Sequence, residues 1–130
     1  MDNGEKHILY VEDIEVNQLI IKSMISRMSG YQIVCAETGA EALKMLADKD
    51  YDLVLTDLFL PDMNGFELYE KFLNKEPEST LPFIALTSDI SDESKEKADS
   101  LSFKGYLEKP VRPDDLENML KATFAEDLPV

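Results

Sequence analysis

The sequence predicts an α/β fold in which five parallel strands form one doubly wound sheet, with helices on both faces. Short apolar runs alternate along the chain with longer segments whose apolar residues recur at helical spacing. The run from Leu53 to Leu55 is continuously apolar, as expected of a strand covered on both faces. Such alternation of strands and helices is typical of a parallel sheet with helical crossovers.

Each predicted strand is followed by a segment with the pattern of a one-sided helix. The predicted strands cover residues 7–11, 32–36, 53–55, 82–86 and 104–108. Thr38 and Glu41 form a capping-box pattern before the second helix. Pro113 stands at a first helical position before the fifth, where Asp114 and Asp115 favour the helix dipole. The apolar stripes are Ile21, Met24, Ile25 and Met28 in the first helix, Leu43, Leu46 and Ala47 in the second, Leu68, Tyr69, Phe72 and Leu73 in the third, and Leu116, Met119, Leu120 and Phe124 in the fifth.

The fourth helix, predicted between residues 91 and 101, differs from the others in its polarity. Ala98 and Leu101 are nearly its only apolar residues, with Ile90 just ahead of them. Packing should therefore hold this helix lightly. A plain exposed surface helix is the simplest interpretation.

Length and composition restrict the class of protein. The 130 residues fit a single domain, with a core from about 6 to 125 and no output domain after it. The single cysteine, Cys35, excludes an internal disulfide framework and fits a reducing compartment. The net charge of -14 disfavours direct binding to nucleic acids or membrane surfaces. No apolar run reaches membrane-spanning length and no signal peptide is evident, so we expect a cytoplasmic protein.

Reactive side chains follow four of the predicted strands. Glu12 and Asp13 end the first strand, Asp57 the third, Thr87 the fourth and Lys109 the fifth. The carboxyl ends of parallel strands lie on one edge of a sheet, where ligands bind in α/β proteins. Two carboxylates about 4 Å apart repel by roughly 4 kcal/mol at an effective dielectric near 20, so a cluster there would raise a pKa or recruit a cation. Carboxylate oxygens suit Mg²⁺.

This set of groups could support phosphoryl transfer to a carboxylate. Such a transfer needs an oxygen nucleophile, a divalent cation and fixed positive charge around the phosphoryl group. Asp57 would be the nucleophile, and Asp13 and Glu12 would hold the metal. Lys109 would supply the fixed charge, and Thr87 a hydroxyl donor.

In these residues the chain resembles the response regulator receiver domain, the phosphoacceptor module of two-component signalling. The resemblance extends from about residue 7 to residue 124 and joins separate motifs in the right order. These motifs are Val11-Glu12-Asp13, the stretch from Thr56 to Gly65, Ala85-Leu86-Thr87, Tyr106 and Lys109-Pro110. The resemblance implies a flavodoxin-like (βα)5 fold with strand order 2-1-3-4-5.

The resemblance also implies roles for individual residues. Asp57 would accept a phosphoryl group from the phosphohistidine of a histidine kinase or histidine phosphotransfer protein. Mg²⁺ would be held by Asp13, Asp57 and the backbone carbonyl of Phe59, with Glu12 acting through water. Lys109 would pair with the phosphoryl group, and its bond to the following proline would be cis, which X-Pro bonds permit.

A switch is implied as well. Thr87 would move toward the phosphoryl oxygen and Tyr106 would turn inward, changing the surface of the fourth helix, fifth strand and fifth helix for a downstream protein partner. The chain would not be an enzyme with a separate substrate, since it would catalyse only its own aspartyl phosphorylation and dephosphorylation. Coupling of this kind is typically worth about 1 to 3 kcal/mol.

Some positions depart from the family pattern. Val11-Glu12-Asp13 and Asn17 resemble receivers of hybrid histidine kinases, but Ile14 stands where those commonly have asparagine. Ser88 replaces the more usual alanine. Phe59 suggests the hypothesis that a bulky side chain shields the phosphoryl group from water.

Two other functions compete with the phosphoacceptor interpretation. The first is a receiver-like interaction module that is never phosphorylated, although such modules usually lose an acidic or lysine position that this chain retains. The second is a metal-dependent phosphatase with an aspartyl nucleophile. That class typically needs a second carboxylate two residues after the nucleophile, where this chain has Phe59.

Overall fold

A computed structural model describes residues 4–125, in which five strands and five helices alternate. The strands are β1 (Lys6–Val11), β2 (Tyr31–Ala36), β3 (Leu53–Thr56), β4 (Phe83–Thr87) and β5 (Gly105–Glu108). The helices are α1 (Glu15–Ser26), α2 (Gly39–Asp48), α3 (Gly65–Lys75), α4 (Asp92–Ser100) and α5 (Pro113–Thr123). The predicted elements are therefore all present, with boundaries that differ by a few residues.

The sheet is parallel throughout and its strands lie in the order β2-β1-β3-β4-β5, as predicted. In its register, Val11 at the end of β1 is level with Ala36 of β2 and Thr56 of β3. Thr87 at the end of β4 is level with Glu108 of β5. The residues that follow these strands consequently leave the sheet at the same edge.

The three central strands, β1, β3 and β4, bury both of their faces over most of their length, and this divides the core into two layers. One layer contains Ile8, Tyr10, Leu53, Leu55, Ile84 and Leu86 of the sheet with Ile21 and Ile25 of α1 and Leu116 and Leu120 of α5. The other contains Leu9, Val11, Val54, Phe83 and Ala85 with Ala42 of α2, Leu68 and Phe72 of α3, and Ala98 of α4. The sheet is thus wrapped on both faces, as its continuous apolar runs indicate.

Two details of α2 differ from the prediction. The Oγ1 of Thr38 accepts a hydrogen bond from the N–H of Glu41 at 3.0 Å, but the Glu41 carboxylate accepts from the N–H of Glu37 instead of that of Thr38. The prediction of a reciprocal capping box is therefore wrong, because the Glu41 side chain reaches past Thr38 to the N–H of Glu37. Ala42 is buried and Ala47 is exposed, so the buried stripe of this helix is rotated from the predicted one.

The reciprocal capping box occurs instead at the start of α3. Asn64 accepts a hydrogen bond from the N–H of Glu67 at 2.8 Å, and Glu67 accepts one from the N–H of Asn64 at 3.4 Å. This cap fixes the point where the loop after β3 ends and the helix begins.

Helix α4 is lightly packed, as predicted. Ala98 is its one buried residue, Leu101 is partly buried and Ile90 is exposed. Ser91 caps the helix by accepting a hydrogen bond from the N–H of Ser94 at 3.2 Å. Capping and a few apolar contacts hold this helix in place.

The predicted domain includes residues 1–3 and 126–130, which lie outside the described residues. Among residues 4–125, no helix combines the length and apolar character needed to cross a bilayer.

Candidate functional site

Asp57 lies immediately after β3 and is largely buried at the carboxyl edge of the sheet. Its N–H donates to the carbonyl oxygen of Val11 at 3.1 Å, which continues the pairing of β1 with β3 by one residue. Its carbonyl oxygen accepts a hydrogen bond from the Thr56 hydroxyl at 2.8 Å, and its Oδ1 accepts one from the N–H of Phe59 at 3.1 Å. The backbone around Asp57 therefore fixes the orientation of its carboxylate.

Lys109 reaches this carboxylate from the end of β5. Its Nζ lies 2.8 Å from Oδ2 of Asp57 and also donates to Oε1 of Glu12. Its N–H donates to the carbonyl oxygen of Thr87 at 2.8 Å, which fixes the lysine backbone against β4. The Lys109-Pro110 peptide bond is cis, as predicted.

Opposing influences act on the ammonium of Lys109. Burial by itself lowers the pKa of Lys109, but hydrogen bonds and charge from Asp57 and Glu12 outweigh burial and raise this pKa above its ordinary value. Lys109 is therefore held in its charged form between two carboxylates.

Glu12 is fully buried at the end of β1, and besides Lys109 its oxygens have two donors from the same part of the chain. Tyr10 donates its hydroxyl to Oε1 at 3.1 Å, and the N–H of Ile14 donates to Oε2 at 3.1 Å. Burial, followed by the charge of Glu12, raises the pKa of the Tyr10 hydroxyl and keeps it a neutral donor. Tyr10 was not identified from the sequence, although its position two residues before Glu12 puts both side chains on the same side of the extended chain.

Asp13 lies beside Glu12 at the start of the β1–α1 loop, with an exposed side chain. Within residues 4–125 its carboxylate makes no hydrogen bond or ion pair, and the carbonyl oxygen of Phe59 accepts no hydrogen bond. No three His, Cys, Asp or Glu side chains of that range are already arranged around a metal position. Glu12 and Asp57 instead both use an oxygen to bind Lys109.

The charges of the site nevertheless fit a divalent cation. The carboxylates of Glu12 and Asp57 share the single ammonium of Lys109, and the exposed Asp13 adds a negative charge next to Glu12 in the chain. The carboxylates of Asp13 and Asp57 and the carbonyl oxygen of Phe59 are the hard oxygen ligands that Mg²⁺ accepts.

Thr87 ends β4 and is fully buried. Its Oγ1 accepts a hydrogen bond from the N–H of Asp89 at 3.2 Å. The carbonyl oxygen of the same Asp89 accepts a hydrogen bond from the hydroxyl of Tyr106, whose ring packs on the buried cluster shared with α3 and α4. Thr87 and Tyr106 are thus joined through one residue.

Asp89 was not identified from the sequence as a link to α4. Its Oδ1 accepts a hydrogen bond from the N–H of Ser91 at 3.0 Å, and its Oδ2 accepts one from the hydroxyl of Ser94. These hydrogen bonds lower the pKa of the Asp89 carboxyl, and the one from Ser94 has the largest effect. Asp89 therefore connects the loop after β4 to the first turn of α4.

The sequence-predicted residues meet only in part. Glu12, Asp57 and Lys109 are in direct contact, and the backbone of Thr87 contacts that of Lys109. Tyr106 bonds to the loop after β4. Phe59 directs its N–H to Asp57, while its side chain is 62% exposed. The chemical roles of these residues stay predictions.

Comparison with known proteins identifies the family. The family described as "Response regulator receiver domain" matches residues 8–121. The chain belongs to this family, as its motifs predicted. The five-stranded order described above is therefore that of a receiver domain.

Similar sequences occur in sensor proteins and in transcriptional regulators. The chain is 34% identical over 88% of its length to the aerobic respiration control sensor protein ArcB of Escherichia coli, of which the match covers 15%. It is 32% identical over 95% of its length to the transcriptional regulatory protein CrdR of Helicobacter pylori, of which the match covers 57%. The sensor-protein matches agree with the predicted likeness to receivers of hybrid kinases.

Solved receiver structures share this fold. The chemotaxis response regulator CheY4 of Vibrio cholerae is 25% identical, with a TM-score of 0.82 over 92% of this chain and 98% of that one. The receiver domain of the sensor histidine kinase PA1611 of Pseudomonas aeruginosa is 28% identical, with a TM-score of 0.83 over 93% of this chain and 98% of that one. That structure is described with a magnesium ion coordinated in its active-site cleft.

Proposed function

We propose that this chain is a phosphoacceptor whose Asp57 takes a phosphoryl group from the phosphohistidine of a histidine kinase or histidine phosphotransfer protein. The contact of Lys109 with both Asp57 and Glu12 is the observation that carries the proposal. It puts a fixed positive charge beside a largely buried carboxylate at the edge of the sheet where ligands bind in α/β proteins.

The proposed reaction forms one bond and breaks one. A carboxylate oxygen of Asp57 attacks phosphorus, and the phosphorus–nitrogen bond to the donor imidazole breaks with its electron pair left on nitrogen. Lys109 stabilises the negative charge on the phosphoryl oxygens, because its ammonium is already within hydrogen-bond distance of Asp57. The N–H of Phe59 holds the other carboxylate oxygen in place during the transfer.

The proposed metal ligands are Asp13, Asp57 and the backbone carbonyl of Phe59, with Glu12 acting through water. When bound, Mg²⁺ would neutralise phosphoryl charge during transfer. Glu12 has a second contribution in this scheme, because it shares Lys109 with Asp57 and so limits how far the ammonium can move. No acidic side chain stands at position 59, which argues against a phosphatase that uses a second carboxylate there.

We further propose that the switch acts through Asp89. The phosphoryl group adds acceptor oxygens, and the Thr87 hydroxyl can donate a hydrogen bond to one of them by reorienting. That hydroxyl also accepts from the N–H of Asp89, while the carbonyl of Asp89 accepts from Tyr106. Movement of Thr87 would therefore disturb β5 and α4 together, and with them the α4-β5-α5 surface for a downstream protein partner.

The donor protein is proposed to approach over α1. Ile14, Leu19 and Ile20 expose apolar side chains on and just before this helix. Ile20 also lines a cavity of about 80 Å³ together with Lys109 and Pro110, so the apolar surface lies next to the lysine that contacts Asp57. A protein donor could bury these side chains and thereby bring its histidine to Asp57. The negative charge of the chain favours protein partners over nucleic acids.

The test uses Mg²⁺ and a small acyl phosphate donor, with the mass of the intact protein as readout. The wild type should gain one phosphoryl adduct, and the adduct should be absent from Asp57→Asn and after chelation of the metal. Asn keeps the size of the side chain and an oxygen for the N–H of Phe59, so it is a close structural control. Absence of the adduct from the wild type with several donors, or its persistence in Asp57→Asn, would refute the proposal and favour a receiver-like interaction module.

A further inference from the structure

The loop between β3 and α3 is fastened at both ends by its own backbone. The N–H of Leu60 donates to the carbonyl oxygen of Met63 at 3.2 Å, and the N–H of Gly65 donates to that of Leu58 at 2.9 Å. Phe59 and Asn64 pair across the loop as an antiparallel bridge. The tip of the loop, Pro61 and Asp62, projects beyond this bridge and is exposed.

The tip is attached to a different element, the start of α2. Oδ1 of Asp62 accepts a hydrogen bond from the N–H of Gly39 at 2.9 Å, and Oδ2 accepts one from the N–H of Ala40 at 2.9 Å. These two N–H groups belong to the first turn of α2, where no carbonyl of the helix itself can accept them. The Asp62 carboxylate thus accepts from two backbone donors of α2, which lie 23 and 22 residues earlier in the chain.

A second contact supports the same attachment. Gly39 is buried, and a Cβ built on it would lie 2.6 Å from Cγ of Met63. The absence of a side chain at Gly39 therefore lets Met63 pack directly against the helix backbone. Asp62 and Met63 together hold the loop tip on α2 by one polar and one apolar contact.

The charge of Asp62 is maintained by this geometry. Desolvation by itself would raise the pKa of its carboxyl, but the hydrogen bonds from Gly39 and Ala40 lower it below the ordinary value. The carboxylate is therefore ionised at neutral pH and favourably placed against the positive end of the α2 dipole.

We propose that Asp62 is a positioning residue that sets the metal affinity of the site by fastening the β3–α3 loop to α2. The loop carries the N–H of Phe59 that binds Asp57, and the Phe59 carbonyl that would contact the metal. Its anchoring limits how far that carbonyl can drift from Asp57. The inference rests on the proposed function, because it assumes that Mg²⁺ binds at Asp13, Asp57 and Phe59.

Thr38 offers a matched control. It caps the same first turn of α2 by accepting from the N–H of Glu41 at 3.0 Å, but its side chain makes no hydrogen bond to the β3–α3 loop. Thr38→Ala and Asp62→Ala each remove hydrogen-bond acceptors from the same helix end. Only Asp62→Ala releases the loop, so the pair separates loss of helix capping from loss of loop position.

The experiment is a titration of the full chain with Mg²⁺, followed by the backbone amide NMR signals of Phe59 and Leu60. Asp62→Ala should raise the dissociation constant of Mg²⁺ by about tenfold, the lower end of what outer-shell substitutions cause. Thr38→Ala should change it less than about twofold, since the loop keeps its anchor. Asp62→Asn keeps one acceptor oxygen and should give an intermediate value.

The outcomes separate this inference from the proposed function. Equal weakening in Asp62→Ala and Thr38→Ala, or unchanged affinity in Asp62→Ala, would overturn the role of Asp62 while wild-type Mg²⁺ binding and phosphorylation stand. Failure of the wild type to bind Mg²⁺ at all would overturn both.

Discussion

The Nζ of Lys109 lies 2.8 Å from Oδ2 of Asp57, although 52 residues separate the two along the chain. The same ammonium bonds to Glu12, which is 97 residues away in sequence. Because Glu12 is fully buried and Asp57 nearly so, this one cation balances charges that water reaches poorly. We therefore expect the stability of the fold and the proposed phosphoryl transfer to depend on the same side chain.

Replacement of Lys109 by methionine should destabilise the protein. The substitution leaves two largely buried carboxylates without their counter-ion, at an expected cost of about 3 kcal/mol in the free energy of unfolding. Urea unfolding at neutral pH measures this loss. Added Mg²⁺ should stabilise Lys109→Met more than the wild type, because a divalent cation would replace the missing positive charge.

Lys121→Met is the control for that experiment. The Nζ of Lys121 lies 3.9 Å from Oε2 of Glu117, and its side chain is 68% exposed. Loss of such a surface pair should change the free energy of unfolding by about 0.5 kcal/mol or less. Equal stabilities of Lys109→Met and Lys121→Met would show that the buried ion pair does not stabilise the fold.

The stability of the wild type should fall at alkaline pH. Contacts with Asp57 and Glu12 raise the pKa of Lys109 above 10.5 in the folded protein, despite the opposing effect of burial. The stabilisation from Lys109 is therefore complete below its ordinary pKa and is lost as pH rises through the folded-state value. As pH rises above about 10.5, unfolding free energies of the wild type should decline more steeply than those of Lys109→Met.

Tyr10 contributes with the same sign, because burial raises the pKa of its hydroxyl. Tyr10→Phe in both the wild type and Lys109→Met removes this phenol from the comparison. Any difference that remains in the slope of unfolding free energy against pH between these two variants is then due to Lys109. Parallel curves in the Tyr10→Phe background would contradict the expected role of the lysine.

Phe59→Asn should shorten the lifetime of the phosphoryl group, if Phe59 limits the access of water to Asp57. The N–H of Phe59 binds Asp57 and survives the substitution, so only the side chain changes. We expect hydrolysis to accelerate roughly threefold to tenfold, which corresponds to about 1 kcal/mol in the barrier. Decay of the phosphoryl adduct by mass spectrometry gives the rate.

Ile90→Asn provides the comparison for Phe59→Asn, since Ile90 is a similarly exposed apolar residue on the loop after β4. The lifetime in Ile90→Asn should stay close to that of the wild type. An unchanged lifetime in Phe59→Asn would refute the shielding hypothesis.

Thr87→Ala should abolish the response of Tyr106 to phosphorylation of Asp57. The substitution removes the hydroxyl that accepts from the N–H of Asp89, at an expected cost of about 1 kcal/mol, and Thr87→Ser restores it. The backbone NMR signals of Tyr106 should shift on phosphorylation in the wild type and in Thr87→Ser but not in Thr87→Ala. A full shift in Thr87→Ala would exclude transmission through the Thr87 hydroxyl.

Much of the fold was predictable because its signals are local. Continuously apolar runs identified the buried strands, and apolar stripes identified the helices that cover them. The polar composition of α4 predicted its light packing, which the single buried residue Ala98 confirms. Details that depend on side-chain reach, such as the partner of Glu41, were not predictable from spacing alone.

The sequence predicted those features of the site that depend only on the order and direction of the strands. The sequence positions of Glu12, Asp57 and Lys109 after parallel strands were enough to bring them to one edge. The attachment of Asp62 to α2 was not predictable, because nothing in the residues around position 62 specifies which helix the loop tip will touch. The link of Asp89 to Tyr106 likewise depends on the distance between a loop and a neighbouring strand.

The amino-acid sequence by itself determined the strands, the covering helices and the edge at which the reactive groups gather, since periodicity and strand order act through the backbone. Tertiary structure alone decided that Lys109 bridges Glu12 and Asp57, that Asp89 joins Thr87 to Tyr106, and that Asp62 fastens the β3–α3 loop to α2. The physical reason is that a hydrogen bond or ion pair requires its two groups to meet within about 3 Å, a condition fixed by packing rather than by position along the chain.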